Sequence, residues 1–195
     1  MIVSLLKNIA KIQVGYQARF GIKESRYGTH RLVQGKDFDS SWKLRTDKLI
    51  VFSPEKNPEH YMLKKGDILF QARGRSHFAY CIEEDLEDTL AAGTFYIIRP
   101  KVDVVFPAYL AWWINQNKAQ AHIRKKSGST DIPFVSKTIL DELEVHLPSL
   151  HIQHKIKHVE ELWTREKELR CDLTDRRSRL VQALCMKLLR SQGAL

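Results

Sequence analysis

Between Ser149 and Ser191 the chain contains no glycine and no proline, and its apolar residues recur with a helical period. Ile152, Ile156, Val159, Leu162, Leu169, Leu173, Leu180, Leu184 and Leu188 form one stripe, which predicts a single long amphipathic helix. At about 1.5 Å per residue such a helix runs about 60 Å, far beyond the usual globular length. It cannot bury its stripe against itself. Glu166 and Arg176 interrupt the stripe, so the expectation is an imperfect coiled coil, paired with a second copy or with a partner's helix. The expected contact positions are Ile156, Val159, Leu162, Leu169, Leu173, Leu180 and Leu184.

The rest of the chain has no single period, which predicts an α+β fold: a mixed domain over 1–148 followed by the coiled-coil-forming helix over 149–192. Leu5, Leu6, Ile9 and Ile12 have helical spacing and predict an opening helix ending near Gly15. Strands are expected at Leu49–Phe52, Asp67–Gln71, Phe78–Ile82 and Thr94–Ile98, each bounded by turn residues. The acidic run Glu83–Asp88 reads as a solvated loop. After Pro107 a well-buried helix carries the pair Trp112 and Trp113, read as core, and ends in the run Arg124–Thr130. Ile132–Lys137 and Leu143–Leu147 read as extended, with a helical turn at Lys137–Leu140.

Composition removes several classes. With 195 residues, 43% hydrophobic and 28% charged, the chain is ordinary globular protein. Its stretch Val102–Ile114 is broken by Asp103 and Pro107 and is too short to span a bilayer. The opening residues carry Lys7 and Lys11 in their apolar pattern, unlike a secretory signal, so a cytoplasmic, non-membrane protein is expected. Cys81, Cys171 and Cys185 share no metal-binding or disulfide spacing and are expected to be reduced. His151, His154 and His158 lie near one helix face, but no carboxylate or cysteine completes a metal shell; neither metal nor cofactor is expected. No signature of a nucleophile elbow, zinc protease, phosphate loop or dinucleotide site is present.

What remains is basic chemistry. The net charge of +9 comes from 32 Lys and Arg against 23 Asp and Glu, spread over both parts of the chain. Three segments suit DNA. Lys125 and Lys126 precede a loop whose Ser129 and Thr130 hydroxyls and amides can meet phosphate oxygens. Arg73 and Arg75 lie between two strands, where a hairpin would project their bidentate donors toward guanine or phosphate. Gln34 and Lys36, near a turn, have the chemistry to read or position DNA. Each segment also reads as an ordinary solvated helix end or turn.

The ordered combination of short segments is more specific than any one of them. Lys11-Ile-Gln-Val-Gly-Tyr16, Leu32-Val-Gln-Gly-Lys-Asp37, Leu63-Lys-Lys-Gly-Asp-Ile-Leu69 with Ala72-Arg-Gly74, and Phe106-Pro-Ala-Tyr-Leu110 come first. Ser127-Gly-Ser-Thr130, Ile132-Pro-Phe-Val-Ser-Lys137 and Leu147-Pro-Ser-Leu-His-Ile-Gln153 continue the order. Together they resemble the target-recognition domain of type I restriction-modification specificity subunits over nearly the whole chain. Members of that family carry two such domains separated by long paired helices, and this chain resembles one half. It departs from the pattern at Ile152, where the family has Glu before the Gln that stands here as Gln153.

The resemblance implies a noncatalytic subunit that recognises double-stranded DNA and places adenine methyltransferase subunits on it, with a restriction subunit joining in some complexes. A half-length reader would restore two half-sites as a homodimer through its C-terminal helix. Two other readings compete: a coiled-coil interaction protein with a basic RNA- or protein-binding domain, and a small nuclease built around His77.

Overall fold

Two periodicities compete in the first fourteen residues, and strand pairing prevails. The computed structural model describes residues 2–19, 21–74, 76–127 and 133–192. In it β1 (Ile2–Leu5) and β2 (Ala10–Val14) flank one helical turn, α1 (Leu6–Ile9). This corrects the expected opening helix. Helical spacing survives only in the buried pair Leu6 and Ile9, whereas Ala10 and Ile12 alternate with exposed Lys11 as a half-buried strand requires. The decisive partner is remote: β2 pairs antiparallel with β8 (Phe95–Pro100), Ile12 standing opposite Ile98.

The intervening strands are β3 (His30–Val33), β4 (Ile50–Phe52), β5 (Ile68–Gln71), β6 (Ala79–Cys81) and β7 (Thr89–Ala91). One sheet has the order β2-β8-β5-β6 and a second the order β4-β3-β7, with β3 and β7 parallel. Strands β4, β5, β6 and β8 match the apolar runs seen in the sequence; β3 and β7 do not. Between the sheets, Tyr16 N donates to Ala91 O at 2.7 Å, and a Cβ on Gly15 would stand 2.3 Å from the Ala92 carbonyl oxygen. Only glycine permits that approach.

The core follows from strand alternation. Leu69 and Ile97 join Phe38, Phe78 and Phe95 in one buried cluster, while Tyr16, Leu32, Phe52 and Leu90 form a second. Across the β8-β5 contact Asp67, 5% exposed, is met by Arg99 Nε at 3.2 Å. Burial pushes its carboxyl up and the guanidinium pulls it back.

Where one helix was expected after Pro107, there are two: α2 (Pro107–Ile114) and α3 (Asn117–Ser127). Asn115 causes the break. Its Oδ1 accepts from Ala79 N and its Nδ2 donates to Ala79 O, both at 2.8 Å, so its carboxamide pairs with β6 as a neighbouring strand's backbone would. Gln116 and Gln120 side chains then cap the Trp112 and Ile114 carbonyls. Trp112 and Trp113 are half-buried, the Trp113 indole donating to Glu144 O at 3.0 Å.

α4 (Lys137–Asp141) leads to β9 (Glu144–Leu147), which pairs antiparallel with β1. α5 (Leu150–Gln192) follows, 43 residues long. The chain falls into two compact units, Met1–His154 and Lys155–Leu195. Within the first unit the opening turn of α5 is tied down by Gln153, fully buried. Its Oε1 accepts from Phe106 N at 2.8 Å, and its Nε2 donates to Pro148 O at 2.9 Å and Val104 O at 3.3 Å. His154 stacks on Phe106, centroids 3.9 Å apart.

Over its described residues the second unit is helix alone. Leu162, Leu169, Leu173, Leu180 and Leu184 are each at least half exposed. Lys157–Glu160 and Arg170–Glu166 ion pairs, each 2.8 Å, lace its polar surface. Among the described residues no helix is long and apolar enough to cross a membrane.

Removing the Gln153 carboxamide strands a buried donor and two carbonyls at about 1–3 kcal/mol per unsatisfied group, partly relieved by water. Gln153→Ala should therefore lose about 2–4 kcal/mol of stability in urea unfolding; a loss below about 0.5 kcal/mol would show the clamp is idle.

Candidate nucleic-acid interface

The end of β5 is where the sheet stops and polar side chains gather. Ala72 and Arg73 amides both donate to Thr94 O, and Ala72 O accepts from Val135 N, so the chain after β5 is held between two neighbours. Arg73 forms an isolated antiparallel bridge with Phe134, and its guanidinium lies 5.0 Å from the centroid of that half-exposed ring. Stacking on a ring orients a guanidinium without consuming its donors. Gly74 follows at φ +133, a conformation that favours glycine.

Gln34 comes from the second sheet. It precedes a single 3-10 turn, Gly35–Asp37, closed reciprocally by Asp37 N donating to Gln34 O and Gln34 N donating to buried Asp37. That closure sets Gln34 and Arg73 on one open depression of about 460 Å³, shared with Tyr16, Gln17, Gly93 and Thr94. Lys36, exposed, is the middle residue of that turn, and a Cβ on Gly35 before it would lie 3.2 Å from the Gln71 carboxamide.

Gln71 and His77 extend the cluster, and neither is among the residues that the sequence marks for DNA. Gln71 Nε2 donates to Arg73 O, and the Gln71 backbone carbonyl accepts from His77 Nδ1 at 2.9 Å. In the neutral imidazole, a proton on Nδ1 leaves Nε2 as an acceptor. His77 Nε2, Gln71 Oε1 and Gln34 Oε1 are all buried without a hydrogen-bond partner. Gln71 reads in sequence only as the last residue of an apolar strand, and nothing local marks its carboxamide as unpaired. Unpaired acceptors at a polar rim are a feature that a donor-bearing ligand relieves.

The basic run at the end of α3 behaves differently. Lys125 is exposed and makes no ion pair among the described residues. Lys126 Nζ is 2.5 Å from Glu142 Oε2, so its charge is already matched. No hydrogen bond, ion pair or ring contact joins Lys125 or Lys126 to Gln34 or Arg73. Arg75, Ser129 and Thr130 lie outside the described residues. Among the described residues no group of His, Cys, Asp and Glu is arranged to hold a metal ion.

Comparisons with known proteins bear on the family and the fold. The family model described as type I restriction modification DNA specificity domain matches residues 25–159. Two solved structures share the fold. A type-I restriction-modification system S subunit from M. genitalium is 14% identical with TM-score 0.58, covering 86% of this chain and 40% of that one. An HsdS subunit from Thermoanaerobacter tengcongensis is 20% identical with TM-score 0.64, covering 87% of this chain and 43% of that one. The chain therefore spans less than half the length of the structures it matches. Among curated proteins no relative matches.

The Lys126 hydrogen bond, and then its charge, holds the Glu142 carboxyl below the usual glutamate range. A lowered value means the pair helps the fold above the ordinary carboxylate range and ceases to as pH falls through the lowered one. In an NMR titration Glu142 should have a midpoint below that of exposed glutamates, and Lys126→Met should raise it; an unmoved midpoint would free Lys126 from the pair.

Proposed function

The chain belongs to the type I restriction modification DNA specificity domain family, and from that premise we propose that it is the noncatalytic sequence-reading subunit of a type I restriction-modification complex. The observation that carries the reading is the family match across residues 25–159, which takes in β3, the β5-β6 hairpin and the start of α5. Double-stranded DNA is the ligand. Gln34 and Arg73, which border one depression, contact base edges, their side-chain chemistry suiting Arg73 to guanine and Gln34 to adenine. Lys36 and Lys125, exposed and without ion pairs among the described residues, contact phosphates; Lys126 joins them only by leaving Glu142. Arg75, Ser129 and Thr130 belong to the same proposal by their residue types.

The exposed seam of α5 supports the second half of the reading. Leu162, Leu169, Leu173, Leu180 and Leu184, with Ile156 and Val159, pair with the same residues of a second copy, giving two half-sites. The assembled reader carries adenine methyltransferase subunits, and a restriction subunit in some complexes.

Phosphate contacts set the salt dependence of affinity, whereas base contacts set preference. Lys125→Ala should weaken binding to every duplex and reduce the salt slope by about one; an unchanged slope removes Lys125 from the interface. Arg73→Ala should relax one position of the site at about 1–3 kcal/mol, read by binding selection from a randomised duplex library, and an unaltered preference would end its base-reading role. Replacing Leu169 and Leu173 by Glu should give a monomer in sedimentation and abolish co-purification of a methyltransferase. A dimer that survives both charges does not use the seam.

A further inference from the structure

Trp42 is exposed where a tryptophan is costly to hold. Its backbone is left-handed, φ +60, a region that bulky side chains avoid. The turn around it is fixed: Asp39 Oδ1 accepts from Ser41 N at 2.8 Å and Lys43 N at 3.0 Å, Trp42 N donates to Asp39 O at 3.0 Å, and Phe38 bridges Leu44. So held, the indole stacks on buried Phe78 with centroids 4.2 Å apart and planes 20° apart, yet stays 43% exposed. One face is covered and rigid, which leaves the other for a flat partner.

The surroundings say what partner. Lys36, Lys43 and Lys48 are exposed and make no ion pair among the described residues. Arg45 donates through Nη2 to Lys36 O at 2.7 Å and keeps a buried Nε without a partner. Of the acids in this stretch, Asp37 accepts from the Gln34 amide, Asp39 accepts within its own turn and Asp47 is exposed, so Lys36, Lys43, Arg45 and Lys48 outnumber the carboxylates by one. Phe78 in turn connects to the interface, its carbonyl accepting from Gln71 N at 2.9 Å. A rigid aromatic face among cations suits a nucleic acid strand with an unstacked base: cations take the phosphates and the ring takes the base. We propose that Trp42 is a stacking platform for one unpaired base of the DNA that this face binds. The proposal rests on the DNA-binding reading above and deepens it, because it assigns to the surface a base outside the double helix.

The test uses the full chain and two fluorescein-labelled duplexes of one mixed sequence, one fully paired and one with a single unpaired adenine. The wild-type chain should prefer the duplex with the unpaired base by about 5- to 100-fold, the worth of one base–aromatic stack. Trp42→Gly, which suits the left-handed backbone, should erase that preference and leave affinity for the paired duplex unchanged; Trp42→Phe should keep most of it. A variant-free check places 2-aminopurine at the unpaired position, whose fluorescence should fall on binding to the wild type. Equal affinity for the two duplexes, or a preference that survives Trp42→Gly, overturns the proposal while leaving the DNA reading intact. Failure of both duplexes to bind at low salt overturns the two together.

Discussion

A single buried carboxamide organises the junction on which this architecture depends. Gln153 sits in the first turn of a 43-residue helix, yet its three hydrogen bonds reach the loop before α2 and the turn before α5 itself. Each partner is a backbone group that neither helix nor sheet satisfies. An apolar residue of the same size would leave those groups unpaired, and a charged one would bring a desolvation cost. The start of the helix is thus specified by polar matching more than by apolar packing, and Ile152 beside it, exposed, adds little.

Local signals are the legible ones. The helical stripe after Ser149 and the β-branched runs around Ile50, Ile68, Ala79 and Phe95 each announce themselves within a few residues, and they appear where expected. The opening residues mislead because Leu5, Leu6, Ile9 and Ile12 satisfy a helical period, while the strands that claim Leu5 and Ile12, β9 and β8, come some 90 to 140 positions later. Asn115 ends a helix for the sake of Ala79, a partner invisible in any window of sequence. β7 has only Thr89, Leu90 and Ala91, too little pattern to mark a strand between an acidic loop and a turn.

The interface divides the same way. Residue type and loop position single out Gln34 and Arg73, and the structure sets both on one depression. Composition alone does not show that Glu142 takes up the charge of Lys126, or that Gln71, the end of an apolar strand, carries an unpaired oxygen. Trp42 escapes notice for a related reason. An aromatic in a Ser-rich turn reads as a stray hydrophobe until the backbone conformation shows how firmly it is held. Polar atoms left unmatched and a strained turn are costs to the free protein, and Phe78, which stacks on Trp42 and accepts from the Gln71 backbone amide, links the two.

The pairing of β1 with β9 constrains the order of assembly. Ile2 stands opposite Leu147, so β1 has no partner until almost the whole of the first unit has been synthesised. A fold closed by contacts of such long sequence separation pays its loop entropy before it gains its contacts, and forms slowly. On the ribosome that closure waits for β9, and the apolar stripe of α5 follows it out. The most adhesive surface of the helix therefore emerges only after β9, the last described strand of the unit ahead of it.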